Sequence, residues 1–167
     1  MTLEEMLELS NSEGIVVEYC DFSPPLNGLY WSSPILYPVI MLGKHLQDNH
    51  QQLRCVFAEE LGHHFTTVGQ CVPKQFYNYG ARLATSKAEF KAMRWAVSYL
   101  IPEDDLLDVI GSGLYESWEL ADYFNVTEEF AVFRLRLFIM KHHDYAASRD
   151  NLSRLGNEIH FVTKLFK

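Results

Sequence analysis

Apolar residues first recur at helical spacing in Leu3, Met6 and Leu7, behind a Thr2-x-x-Glu5 capping box, and Gly14 closes this short helix. The pattern then changes. Ile15-Val16-Val17-Glu18-Tyr19-Cys20 is β-branched and strand-like. After a turn region marked by Pro24-Pro25 and Asn27-Gly28, two strands are expected at Leu29-Tyr30-Trp31 and Ile35–Leu42, around Ser32-Ser33-Pro34. Pro38 cannot donate to a ladder, which implies an edge position or a bulge there. From about Asp48 to Phe65 the period is helical, with Leu53, Phe57 and Leu61 on one stripe at about 100° per residue. Residues 66–85, with Gly69, Pro73 and Gly80, read as a long irregular connection, of a length that is usually functional or hides short structure.

The second half is helical. Residues 86–100 are amphipathic and stop at Pro102, which itself opens another helix with Glu103-Asp104-Asp105 at the positive dipole end. Gly111-Ser112-Gly113 breaks that helix. Ser117–Phe124, Asn125-Val126-Thr127 and Glu128–Lys141 then read as helix–turn–helix, with Thr127 as a cap. The tail from Glu158 to Phe166 alternates weakly, as a final strand or a partner-binding segment would. Sheet first and helices after is an α+β order. The expected organisation is a core of sheet and helices over 1–101, with a helical region over 102–167 packed on it as one compact domain.

The chemistry concentrates in Ala58-Glu59-Glu60-Leu61-Gly62-His63-His64. Residues four apart share a helix face, so Glu59 and His63 can grip one ion, and Glu60 stands where H-E-x-x-H metallopeptidases carry the general base. The first motif residue is Glu59 rather than His; a carboxylate is an acceptable zinc ligand. In a shifted register, Glu60 and His64 would be the ligands or a buried hydrogen-bonded pair. Glu89, on the next helix, fits the third ligand of a two-plus-one site. The same residue completes Ser86-x-x-Glu89, a capping box in which it would only satisfy a backbone N–H. His142 and His143 are further candidates, as a carbonyl-polarising group or a replacement ligand, although a His pair near a helix end more often meets the C-terminal dipole. Of the cysteines Cys20, Cys55 and Cys71, which form no C-x-x-C, Cys71 is near enough to the motif in sequence to be a soft zinc ligand. The default for all three is a reduced, buried small hydrophobe.

Charge narrows the function classes. A net charge of −8 disfavours coating a nucleic acid, which needs a basic face. The helix–turn–helix segment from Leu114 to Lys141 carries five acids against three bases, and its second helix opens with Glu128-Glu129 where a DNA reader would meet phosphates. Direct DNA binding is therefore not expected, and the segment reads as a structural or protein-binding unit. The N-terminus lacks the basic start and apolar core of a signal peptide, and no apolar run reaches the roughly 18 residues that span a bilayer. A cytoplasmic protein without membrane contact is expected.

Taken together, the run from Ala58 to His63, Glu89-x-x-Ala92-x-x-x-Ala96-x-x-x-Leu100-Ile101-Pro102, Asn27-Gly28-Leu29-Tyr30 and Leu120–Thr127 resembles the ImmA/IrrE family of metallo-endopeptidases over roughly residues 26–137. The Glu-Glu-Leu-Gly-His form is similar to the branch found in phages and mobile elements of Gram-positive bacteria. The resemblance implies a zinc-dependent peptidase that cleaves a helix-turn-helix repressor and derepresses the element's genes. It implies His63 and Glu89 as metal ligands and Glu60 as the catalytic acid/base, with Glu59 at a ligand position and zinc or another divalent metal as cofactor. The competing readings are a non-proteolytic regulator, which binds a repressor or toxin through a degenerate metal site, and a DNA-binding protein using the 118–141 unit.

Overall fold

The computed structural model describes residues 1–66, 87–114 and 116–146, with side chains through His142. The expectations for 67–86, Cys71, the side chain of His143 and the 158–166 tail lie outside the described residues. The chain divides into two compact units, Met1–Leu100 and Ile101–Lys167.

The first unit contains α1 (Leu3–Ser12), β1 (Val16–Cys20), β2 (Gly28–Trp31), β3 (Val39–Gly43), a 3-10 turn (Lys44–Leu46), α2 (His50–Thr66) and α3 (Lys87–Leu100). The capping box forms as the sequence implies: Glu5 N–H donates to Thr2 Oγ1 at 3.2 Å, and Thr2 N–H donates to Glu5 Oε2 at 2.6 Å. Just past α1, Gly14 takes a φ of +69°, which few other residues tolerate.

The sheet has the order β1-β3-β2, so the last strand is inserted between the first two. β1 runs parallel to β3, with Val16 opposite Val39, and β2 runs antiparallel to it, with Gly28 opposite Leu42 and Tyr30 opposite Ile40. The fully buried Ile40 and Leu42 explain the central place of β3. The strand expected from Ile35 is shorter than its apolar pattern suggested. Ile35 is 90% exposed and β3 begins only after Pro38, so Pro38 marks neither an edge strand nor a bulge. A central strand must donate on both sides, which proline cannot do; its carbonyl still accepts from Val16 N–H at 2.9 Å.

Every residue of α2 from Leu53 to His63 is buried, so the helix has no solvated face. The stripe of Leu53, Phe57 and Leu61 is real, and Glu59 and His63, which lie outside it, are about as deeply buried. α2 packs on β2 and β3 and also against α3. At Gly62 the two helices nearly touch. A Cβ there would collide with the Ala92 carbonyl, its carbon only 2.9 Å away.

The second unit contains α4 (Glu103–Gly111), α5 (Ser117–Phe124) and α6 (Glu128–Ala146). Pro102 caps α4 and three acids fill its first turn, as expected from the dipole. Asn125 ends α5 in the left-handed conformation, with φ 51°, and the Thr127 carbonyl receives the Phe130 and Ala131 N–H groups at the start of α6. Arg134, nearly buried, donates through Nε to the Ile101 carbonyl at 2.8 Å. Among the described residues, three helices and a three-stranded sheet in the first unit and three helices in the second make an α+β chain, with a zincin-like arrangement of sheet and motif helix. Among the described residues, no helix is long and apolar enough to cross a membrane.

Candidate metal centre

The close approach at Gly62 brings the chemistry together. Ala92 lies three residues after Glu89 on the same face of α3, and His63 adjoins Gly62 on α2. Contact between Gly62 and Ala92 therefore sets His63 beside Glu89, with His63 Nε2 3.3 Å from Glu89 Oε2. Glu59, one turn earlier on α2, completes the group. One ligand atom from each of Glu59, His63 and Glu89 lies within 4.8 Å of the others, the first two buried and the third partly so.

These residues fit a divalent ion. For bonds of about 2.0–2.1 Å, the edge of a coordination tetrahedron is about 3.3 Å, the separation His63 and Glu89 already show. Two carboxylates and an imidazole are a donor set that zinc accepts, and the extra oxygen also suits harder ions such as manganese. The electrostatics ask for a cation. Burial pulls the His63 pKa down, yet the Glu89 hydrogen bond and the charges of Glu60, Glu89 and Glu59 outweigh it and raise the pKa above its ordinary value. His63 Nδ1 is buried and has no hydrogen-bond partner among the described residues, so only part of the imidazole's capacity is met by protein.

Glu60 is buried beside the group, 4% exposed, and faces the sheet. Its carboxylate lies against the backbone of Gly28 on the edge strand β2. Two residues along, Tyr30 meets His64, one helical turn beyond Glu60. Their side chains share a hydrogen bond, hydroxyl to Nδ1, at 3.0 Å. The match is metric: two strand residues advance about 6.8 Å and four helical residues about 6 Å. The other nitrogen of His64, Nε2, lies 3.6 Å from Glu13 Oε2. His64 is thus engaged by Tyr30 and Glu13, not by Glu60, and it stands apart from the three clustered ligands.

His142 answers to a different partner than expected. Its Nε2 shares a 3.0 Å hydrogen bond with Glu103 Oε1, and its ring tilts against Phe138 at 4.4 Å. A carboxylate at hydrogen-bond distance outweighs the diffuse dipole of its own helix end. It is not in the metal-capable group found among the described residues. Cys55 is buried, as a small hydrophobe would be. Gly28 and Tyr30 are the residues at the site whose roles the sequence reading missed. The signal was available in Asn27-Gly28-Leu29-Tyr30, where residues 28 and 30 must share one strand face.

Residues 11–136 match the model of the Peptidase M78 family, described as the IrrE N-terminal-like domain. This span contains β1 to β3, α2, α3 and all three clustered ligands. No curated protein matches the chain.

Proposed function

Because the chain belongs to the ImmA/IrrE family of metallopeptidases, we propose that it is a zinc-dependent endopeptidase that cleaves a helix-turn-helix repressor. In this reading it acts in the cytoplasm and derepresses genes of a phage or mobile element. One observation carries the catalytic part. Glu59, His63 and Glu89 converge within 4.8 Å, with a fourth carboxylate, Glu60, buried beside them and outside the ligand group.

Glu59, His63 and Glu89 would hold the ion. A divalent metal bound there supplies Lewis acidity toward the scissile carbonyl and toward water. Glu60 then does the proton work: it accepts a proton from the attacking water and returns it to the leaving amine. β2 borders Glu60 and is an edge strand among the described residues, so an extended substrate segment can pair with it beside the site. Glu59 in place of His adds negative charge to the centre, which weakens the metal as a Lewis acid and makes cleavage slow or conditional.

Co-expression with a helix-turn-helix repressor encoded beside this gene tests the proposal. A shortened repressor that disappears with Glu60→Gln is the expected result. An intact repressor that co-purifies with the protein would favour a non-proteolytic regulator instead.

A further inference from the structure

The backbone of Gly28 does not call for glycine, since its φ lies outside the left-handed range. The requirement is steric. A Cβ at this position would sit 2.6 Å from Val56 Cγ1, 2.8 Å from Glu60 Oε1 and 3.1 Å from Glu60 Cγ. The strand is pinned on both sides of this point. Before it, the Asn27 carbonyl accepts from Gly43 N–H at 2.8 Å, and Asn27 Oδ1 lies 3.0 Å from His45 Nε2. Beyond it stands the Tyr30–His64 hydrogen bond. Gly28 itself is paired opposite Leu42. β2 cannot back away from α2 without loosening these ties. Val56 is β-branched on a helix and stiff at χ1. What yields most cheaply is the far end of the Glu60 side chain.

We infer that Gly28 is a positioning residue for the Glu60 carboxylate, a role that rests on the peptidase reading above. The absent Cβ is the space in which that carboxylate is held. The three atoms nearest the missing methyl belong to Val56 and Glu60, none to Glu59, His63 or Glu89. A methyl at 28 therefore bears directly on the proton-transfer group and on Val56, and on the ligands only through them. This separates it from the role of Gly62, which sets the ligands themselves.

The experiment compares wild type, Gly28→Ala, Glu60→Gln and the double variant, with Gly28→Ala/Val56→Ala as a control for packing. Three quantities are measured: metal content, kcat and KM on a peptide from the cleaved repressor, and the visible spectrum of the Co2+-loaded protein. Gly28→Ala is expected to keep its metal and to lose at least about tenfold in kcat with KM changed by less than about twofold. It should shift the Co2+ spectrum as Glu60→Gln does. On the Glu60→Gln background it should add nothing further to either change, and Val56→Ala should not restore kcat. Wild-type kcat and spectrum in Gly28→Ala, an additive loss in the double variant, or recovery with Val56→Ala would each overturn the assignment. If wild type cleaves no peptide, the peptidase reading falls while the Co2+ spectra still decide the position of Glu60. If Gly28→Ala alone does not fold, Gly28→Ala/Val56→Ala, with the harder clash removed, carries the same comparison.

Discussion

Gly62→Ala sets two physical rules against each other. In an isolated helix, alanine is better than glycine by about 0.8–1 kcal/mol. Here the new methyl would sit 2.9 Å from the Ala92 carbonyl carbon and 3.0 Å from its Cα, with the carbonyl oxygen closer still. All three atoms are backbone, so no rotamer change relieves the overlap. Ordinary carbon contacts begin near 3.5 Å, and α2 and α3 must part by roughly half an ångström. Overpacking of this kind costs about 1–3 kcal/mol. With the backbone carbonyl oxygen as the closest atom, the cost lies in the upper part of that range, about 2–3 kcal/mol, so against the propensity gain the net loss is about 1–2 kcal/mol. At about 2–4 °C per kcal/mol for a chain of this length, Tm should fall by about 2–8 °C. Thermal unfolding followed by circular dichroism, with chelator present, isolates packing from metal binding. Parting the helices also draws His63 from Glu89, so competition with a chromophoric chelator should show at least about a tenfold weaker metal affinity. A Tm equal to or above that of wild type would refute the helix contact on which the centre depends.

Glu59→His completes the H-E-x-x-H pattern and should raise zinc affinity in the same chelator competition; an affinity equal to that of wild type would show that residue 59 is not a ligand. Tyr30→Phe removes the hydrogen bond to His64 and should cost about 0.5–1.5 kcal/mol in denaturant unfolding without changing metal content. A loss of metal in that variant would bring His64 into the centre. Glu103 has its pKa lowered, mainly by its hydrogen bonds to Lys141, with His142 adding to the effect against a smaller penalty from burial. A depressed carboxylate stabilises the fold above its unfolded pKa, and the gain is lost as pH falls through the folded value. Glu103→Gln should therefore lower Tm at neutral pH, with the gap to wild type closing below about pH 4.3; a gap that does not change with pH contradicts this.

Local signals in the chain were legible where local forces decide. The Thr2/Glu5 box, Pro102 with its acids and the Asn125 turn all act within one helical turn, and each appears where its residues lie. The apolar run from Ile35 misled because its period does not say that β3 is central, where Pro38, which cannot donate, has to lie outside the strand. The motif helix was visible, but its complete burial was not: Glu59 and His63 look like solvated positions until α3 and the sheet enclose them. Glu89 could be read as a cap or as a ligand from its own segment. What that segment does not show is that Glu89 meets His63, which depends on Gly62 meeting Ala92, a contact between residues thirty apart that no local pattern contains. Gly28 was hidden for the same reason, since its neighbour Glu60 lies on another element.

The central claim is that Glu59, His63 and Glu89 hold a metal ion while Glu60 stands beside it without being a ligand. Elemental analysis of protein purified without chelator tests this most directly, with wild type, His63→Ala and Glu60→Gln side by side. About one divalent ion per chain is expected in wild type and in Glu60→Gln, and almost none in His63→Ala. Equal metal in wild type and His63→Ala, or metal lost from Glu60→Gln, would contradict it.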